Sequence, residues 1–281
     1  MTRDDEVFRR FGGNLRAFLE GLGSVGIGGA RSHRPMLSEN PFPPAGIDGF
    51  LSYFILTLRF DTGPLKGKPI TLSLPNAIQS VARSQPFIYN GPPQEVQVPL
   101  PSGSTLSPTI RDQDFLQRPP EFFQLGKESV WLQILNLDAR GDTPVGPVRI
   151  ILGETLKREY PDLFQPSLGV VQSLGDTGFP ARLFFDPTAI METQAGNFRA
   201  VHGVLAYANI TAFPPVGSAV QTTDIIPLHS VEALRKAAQS KTPRDVAADG
   251  SVLGLSHPIT TALNVSGAEA FNLVEQSTTQ G

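Results

Sequence analysis

Between residues 50 and 60 the chain alternates: Phe54, Leu56, Leu58 and Phe60 fall on one face, and Thr57 and Arg59 close the other. A period of two predicts a strand with one buried face. Short runs of similar character follow at 70–74, 86–90, 94–100, 129–137, 147–152, 168–174, 181–185 and 198–213. Turn clusters such as Asn90-Gly91-Pro92-Pro93 and Gly141-Asp142-Thr143-Pro144 separate them. No helical period intervenes, so the pattern predicts a sandwich or jelly roll rather than a parallel α/β sheet. The expected fold class is mainly β, with a single jelly-roll or β-sandwich body over residues 45–225.

The two ends of the chain have a different pattern. Over residues 4–22, Phe8, Phe11, Leu15, Phe18, Leu19 and Leu22 recur at helical spacing, accompanied by Arg9, Arg10 and Arg16. Asp4, Asp5 and Glu6 suit the positive N-terminal end of such a helix. Gly12 and Gly13 weaken it by about 1 kcal/mol each, so it is expected to dock on a surface, either a neighbouring subunit or a membrane face. Glycines then crowd residues 21–29, which makes residues 1–44 an N-terminal arm on a flexible tether. From Ser230 onward a capped helix through Val231, Leu234 and Ala238 is expected, with a second short helix over 267–276. Residues 226–281 therefore read as a partly helical C-terminal arm. The segment 101–127 is a long connection without a clear strand, of the kind that often carries a functional surface.

Composition narrows the chemistry. A net charge of −3 and a pI near 5.8 give no basic stripe for nucleic acid. With no cysteine there is no thiolate ligand, thiol nucleophile or disulfide framework. The acidic start lacks an apolar run, which reads as no secretory signal, and no stretch reaches the length of a membrane span. His33, His202, His229 and His257 lack the spacing of a metal pair, so no metal and no cofactor are expected. Glu154 and Glu159 read as part of a solvated turn or short helix.

One motif occurs twice: Asp61-Thr62-Gly63 follows the strand at 50–60, and Asp176-Thr177-Gly178 follows 168–174. With Ile151-Leu152-Gly153 and Val252-Leu253-Gly254, this resembles the aspartic proteases, in which two such turns bring two carboxylates together to share a proton. The resemblance implies Asp61 and Asp176 as a catalytic dyad. The chain departs from the family at Pro64 and Phe179, where a small hydroxyl-bearing residue is expected. Read without the resemblance, Asp-Thr-Gly is ordinary turn chemistry.

In overall layout, across residues 45–225, the chain resembles the jelly-roll major capsid proteins of icosahedral phages with an internal membrane. That resemblance implies a non-enzymatic coat subunit, made soluble in the host cytoplasm and assembled in the virion with copies of itself and other virion proteins. The N-terminal helix would then face lipid or a neighbour. The leading expectation is this structural role. The alternatives are an aspartic protease using Asp61 and Asp176, and a carbohydrate- or ligand-binding sandwich presenting Trp131 and Tyr160.

Overall fold

The computed structural model describes residues 40–91, 94–100, 102–106, 109–110, 124–200, 206–222, 225–239 and 246–263, together with Glu269 and Asn272. The expected N-terminal helix, with Phe8, Arg9, Arg10, Phe11, Leu15, Arg16, Phe18, Leu19 and Leu22, lies outside the described residues, as does most of 264–281.

Four long strands make one side of the molecule: β1 (Gly46–Phe60), β2 (Ile70–Arg83), β8 (Glu128–Thr143) and β17 (Gly250–Leu263). They pair antiparallel in the order β8-β2-β1-β17. The opposite side is built from shorter pieces: β9 (Gly146–Leu152), β10 (Ser167–Ser173), β11 (Ala181–Asp186), β12 (Ile190–Thr193), β13 (Gly196–Ala200), β14 (Ala206–Ile210), β15 (Ala219–Thr222) and β16 (Ile226–Ser230). Register shows how these pieces fit together. Leu137 of β8 faces Leu152 of β9, and Ile134 on the same edge faces Ser167 of β10, so β9 and β10 are two halves of one stave. In the same way β11 continues β12, β14 continues β13, and β15 and β16 share the free edge of β17. With β1 paired to β17, the path closes into an eight-staved, antiparallel up-and-down barrel.

The mainly β class expected from the sequence is present, but the pairings do not give a jelly roll. Each stave lies beside its neighbours in sequence, whereas a jelly roll needs Greek-key crossings. The expected C-terminal arm over 226–281 is also corrected: Ile226–Ser230 and Gly250–Leu263 are barrel wall, and β17 is the stave that closes the ring. The helix expected after Ser230 is present as a segment outside the wall (Val231–Gln239), with Ser230 Oγ accepting from Ala233 N at 3.4 Å. Of the expected N-terminal arm, residues 40–44 belong to the barrel end. There Phe42 packs edge-on against Phe179, and Asn40 O accepts from Phe179 N.

Alternation sorts the strands into two faces. On β1, Phe54, Leu56, Leu58 and Phe60 point inward and are buried. On β8 the inward set is Val130, Leu132, Ile134, Leu137 and Ala139. The change from even to odd numbers marks a bulge: Val81 faces Ile134 and Ser80 faces Asn136, leaving Leu135 without a partner in β2. β2 carries an irregularity of its own opposite Ser52 and Phe54, and Pro75 sits there, where a missing N–H costs no ladder bond.

The outward positions of the wall are covered in two places. Trp131, Leu135, Ala82, Val170 and Phe184 lie beneath Val96 and Val98, which the chain between β2 and β8 lays over them. That connection contains the short strands β3 (Phe87–Ile88), β4 (Gln94–Glu95), β5 (Val98–Pro99), β6 (Thr105–Leu106) and β7 (Thr109–Ile110). Ile151 and Ile190 lie beneath Leu156, Tyr160 and Leu163 of the excursion between β9 and β10, and beneath Val231. The excursion begins with helix α1 (Gly153–Glu159) and follows directly on Leu152; the helix over Val231–Gln239 is α2.

Arg149 clasps the α1 excursion to the wall. Its guanidinium donates to Asp138 (2.7 Å), Glu159 (2.8 Å) and Glu192 (3.2 Å). Burial opposes the charge of Arg149, but the hydrogen bonds and charges of Asp138 and Glu159 outweigh it and hold the group more firmly protonated than usual. Tyr160 OH donates to Glu192 (2.6 Å), and burial together with that carboxylate raises its pKa.

Gly153 is the point where the fourth stave leaves the barrel. It has φ +67°, and an added Cβ would run into the carbonyl of Leu135 at the bulge of β8. Gly63 has a similar φ of +71° with open space around it. Gly153→Ala should therefore lose at least about 2–3 kcal/mol in urea unfolding, and Gly63→Ala only about 1 kcal/mol. Equal losses in the two variants would contradict this account of the break.

Candidate functional site

Both ends of the barrel are packed. At the end where β1 begins, Phe42, Phe179 and Phe213 meet at centroid distances of 4.9 to 6.5 Å, above Val130, Val171, Ala181, Leu183 and Ile210. Arg83 holds the same rim through Asp48 and through the carbonyl of Pro44 at 2.9 Å. At the other end Leu58, Phe60, Leu72, Leu74, Ala139 and Val148 fill the interior.

Between these plugs lies a cavity of about 110 Å³. Its walls include Phe50, Phe54 and Leu56 from the long strands, and Phe185, Met191 and Phe198 from the broken staves. The cavity stands at the height where those staves are interrupted. Pro187 and Ala189 line it between β11 and β12, Ala200 lines it at the end of β13, and Val220 and Ile226 line it on either side of the break in the seventh stave. Small residues there leave unfilled the space that a continuous wall of larger side chains would occupy. Eight staves enclose an interior just wide enough to be filled by side chains or to hold one small ligand.

The lining is apolar except for Gln79 and His257. They form a short chain of hydrogen bonds across β2, β1 and β17. Ser52 Oγ donates to Ala77 O (3.2 Å), Gln79 Nε2 donates to Ser52 Oγ (3.0 Å), and the same amide nitrogen lies 3.1 Å from His257 Nε2. Because Ser52 gives its one proton to Ala77, Gln79 must present its amino group to Ser52 and His257 Nε2 must accept. The proton of the neutral imidazole is then on Nδ1. The ring stacks on Phe54 at 3.9 Å between centroids, with planes 11° apart. Burial pushes the His257 pKa down to about 3, so the ring is neutral in ordinary buffers.

The residues singled out by the duplicated motif are not brought together. Asp61 follows β1 at one end of the barrel, and Asp176 follows β10 at the other, beside the start of β8. A strand as long as β1 spans roughly 45 Å, so the two carboxylates cannot share a proton. Each turn has a structural role instead. Asp61 pairs with Arg59 at 3.2 Å, and Thr62 Oγ1 donates to Asp249 at 3.1 Å. Asp176 pairs with Lys127 at 3.0 Å, and Gly178 N donates to Glu128 at 2.7 Å. Trp131 and Tyr160, expected as exposed binding residues, are both buried outside the wall, Trp131 beneath Val96 and Val98 and Tyr160 within the excursion that covers Ile151 and Ile190. Among the described residues no group of His, Cys, Asp and Glu could hold a metal ion, and no helix is long and apolar enough to cross a membrane.

Sequence reasoning missed Gln79 and His257. Gln79 follows Pro75, which made the second strand read as ending at 74. His257 lies among small polar residues of a segment read as an arm. The available signal was the alternation of Leu255, His257 and Ile259 against Ser256 and Pro258.

No family model matches the chain, and no curated protein matches it. Among solved structures it is similar to DynF from the dynemicin biosynthesis pathway of Micromonospora chersina. The TM-score is 0.50 and the identity 13%, with 86% of this chain and 92% of that chain covered. A likeness at that identity concerns the fold alone.

The neutral state of His257 gives a pH dependence with a defined sign. Its folded pKa, about 3, lies below the ordinary 6.5, so the unfolded chain binds the extra proton between those values. Its contribution is complete above pH 6.5 and is lost as pH falls toward 3. In urea unfolding between pH 6 and 4, the wild type should lose about 1.4 kcal/mol per pH unit more than His257→Phe. Parallel pH profiles for the two proteins would refute a buried neutral imidazole.

Proposed function

We propose that this protein binds one small, predominantly apolar molecule inside the barrel and does no chemistry on it. The observation that carries this reading is the cavity itself, lined by apolar side chains from all sides of a closed barrel and left unfilled between two packed ends. An unfilled volume in a core forfeits dispersion contacts and destabilises by about 24 cal/mol per Å³, so about 110 Å³ left empty costs about 2–3 kcal/mol. A ligand of matching shape recovers that energy. Apolar cavities of about 150 Å³ stay dry and take up molecules of the size of benzene.

Two further features support binding without catalysis. The two polar side chains in the lining are an amide and a neutral imidazole, with no carboxylate or cation beside them. The fold-level similarity to DynF, a protein of a biosynthesis pathway, is compatible with a small-molecule role but does not name one. An apolar lining also sets carbohydrate aside in favour of hydrocarbon or aromatic ligands. The coat-subunit expectation drew on the layout of residues 45–225, the arms at both ends and the lack of a catalytic motif, and the described barrel adds no observation to it.

Toluene should bind one per chain in titration calorimetry of the full chain. Ala189→Phe, which places a ring in the cavity, should weaken that binding at least tenfold while moving the melting temperature by only a few degrees. Binding that Ala189→Phe leaves intact would place the site elsewhere. No saturable binding by the wild type would remove the reading.

A further inference from the structure

The interior holds a polar pair that packing alone does not explain. Gln79 is 2% exposed and His257 8% exposed, and both line the cavity among apolar neighbours. Positions of this kind are ordinarily filled by Leu or Phe, since a buried polar group without a partner costs about 1–3 kcal/mol. Each of the two is only half satisfied. Gln79 spends its amino group on Ser52 and His257, and His257 accepts at Nε2. That leaves Gln79 Oε1 as an acceptor and His257 Nδ1–H as a donor, and neither has a hydrogen-bond partner among the described residues.

The pair is also held rigidly. Ser52 is tied to the carbonyl of Ala77, which fixes the Gln79 amide, and the stack on Phe54 fixes the imidazole plane. With Nε2 turned to the Gln79 amide, the Nδ1–H of the same ring points away from Gln79, so the imidazole offers one donor of fixed direction in an otherwise apolar chamber. The unsatisfied atoms lose less when a ligand brings a hydroxyl or carbonyl than when it brings only hydrocarbon. A full charge is excluded for a different reason. No Arg or Lys lines the cavity, and an ion taken into it would give up its hydration without a counter-charge.

Resting on the binding role proposed above, we infer that His257, through its Nδ1–H, anchors the polar end of an uncharged ligand, an apolar body carrying one hydroxyl or carbonyl group, and discriminates against both the bare hydrocarbon and the carboxylate. Gln79, Ser52 and Phe54 are positioning residues for the ring. Hydrogen bonding to the anchor should favour the hydroxyl-bearing ligand by about tenfold over its hydrocarbon analogue.

The test compares toluene, 4-methylphenol and 4-methylbenzoate at pH 7 by calorimetry on the full chain. The phenol should bind about tenfold more tightly than toluene, and the benzoate should bind most weakly of the three. In His257→Phe the ratio of phenol to hydrocarbon affinity should fall to near one, and in Gln79→Leu, which frees the ring, it should fall part of the way, each variant being checked for native circular dichroism. Equal binding of phenol and toluene by the wild type would overturn the anchor while leaving the apolar binding role standing. A preference that survives in His257→Phe would also overturn it. Failure of all three ligands to bind would overturn both.

Discussion

The structure depends on the pairing of β1 with β17. These strands are the first and last of the wall, and they run side by side from Gly49–Leu263 at one end to Phe60–Gly250 at the other. Until that seam forms, the sheet has two long edges with unpaired backbone groups, and its inward side chains have nothing to face. Closing the ring satisfies both edges at once and turns one apolar face into an interior. The closure is non-local in sequence, so it takes nearly the whole described chain to define the chamber.

The rest of the architecture follows from a division of labour around that ring. Continuous strands on one side carry the seam and hold Ser52, Phe54, Gln79 and His257 in register across three neighbouring staves. Interrupted staves on the other side give the wall its irregularity, with Pro187, Ala189 and Ala200 at the level of the cavity. The bulge at Leu135, the glycine at 153 and the Arg149 clasp let the chain leave the wall and return without disturbing the pairing on either side. Ser167 secures the return: its hydroxyl donates to Thr188 O and accepts from Thr188 N, across the break between β11 and β12.

Much of the strand content was legible in the sequence because alternation reports a half-buried wall directly, as at Phe54, Leu56, Leu58 and Phe60. Connectivity was not legible, since a meander and a jelly roll share the same strand pattern and differ only in which edges pair. Pro75 hid the second half of β2, because a proline in a strand is visible as harmless only once the bulge around it is known. Residues 250–263 were hidden by their glycines, serines and threonines, a composition that resembles a linker. The Asp-Thr-Gly turns show the opposite error: a local motif with real chemistry in another setting here closes two turns on opposite rims. The site itself depends on three strands far apart in sequence, and no spacing rule connects Gln79 to His257.

The chain has one tryptophan, and its position separates two events that are often read from one signal. Trp131 lies on β8 between Val130 and Leu132, which face the interior, but its own ring faces outward beneath Val96 and Val98. Intrinsic fluorescence from this protein therefore reports on the segment draped over the outside of the barrel. Occupancy of the chamber has to be observed by some other means, and a change in tryptophan emission on adding a ligand would mean that the outer covering had shifted.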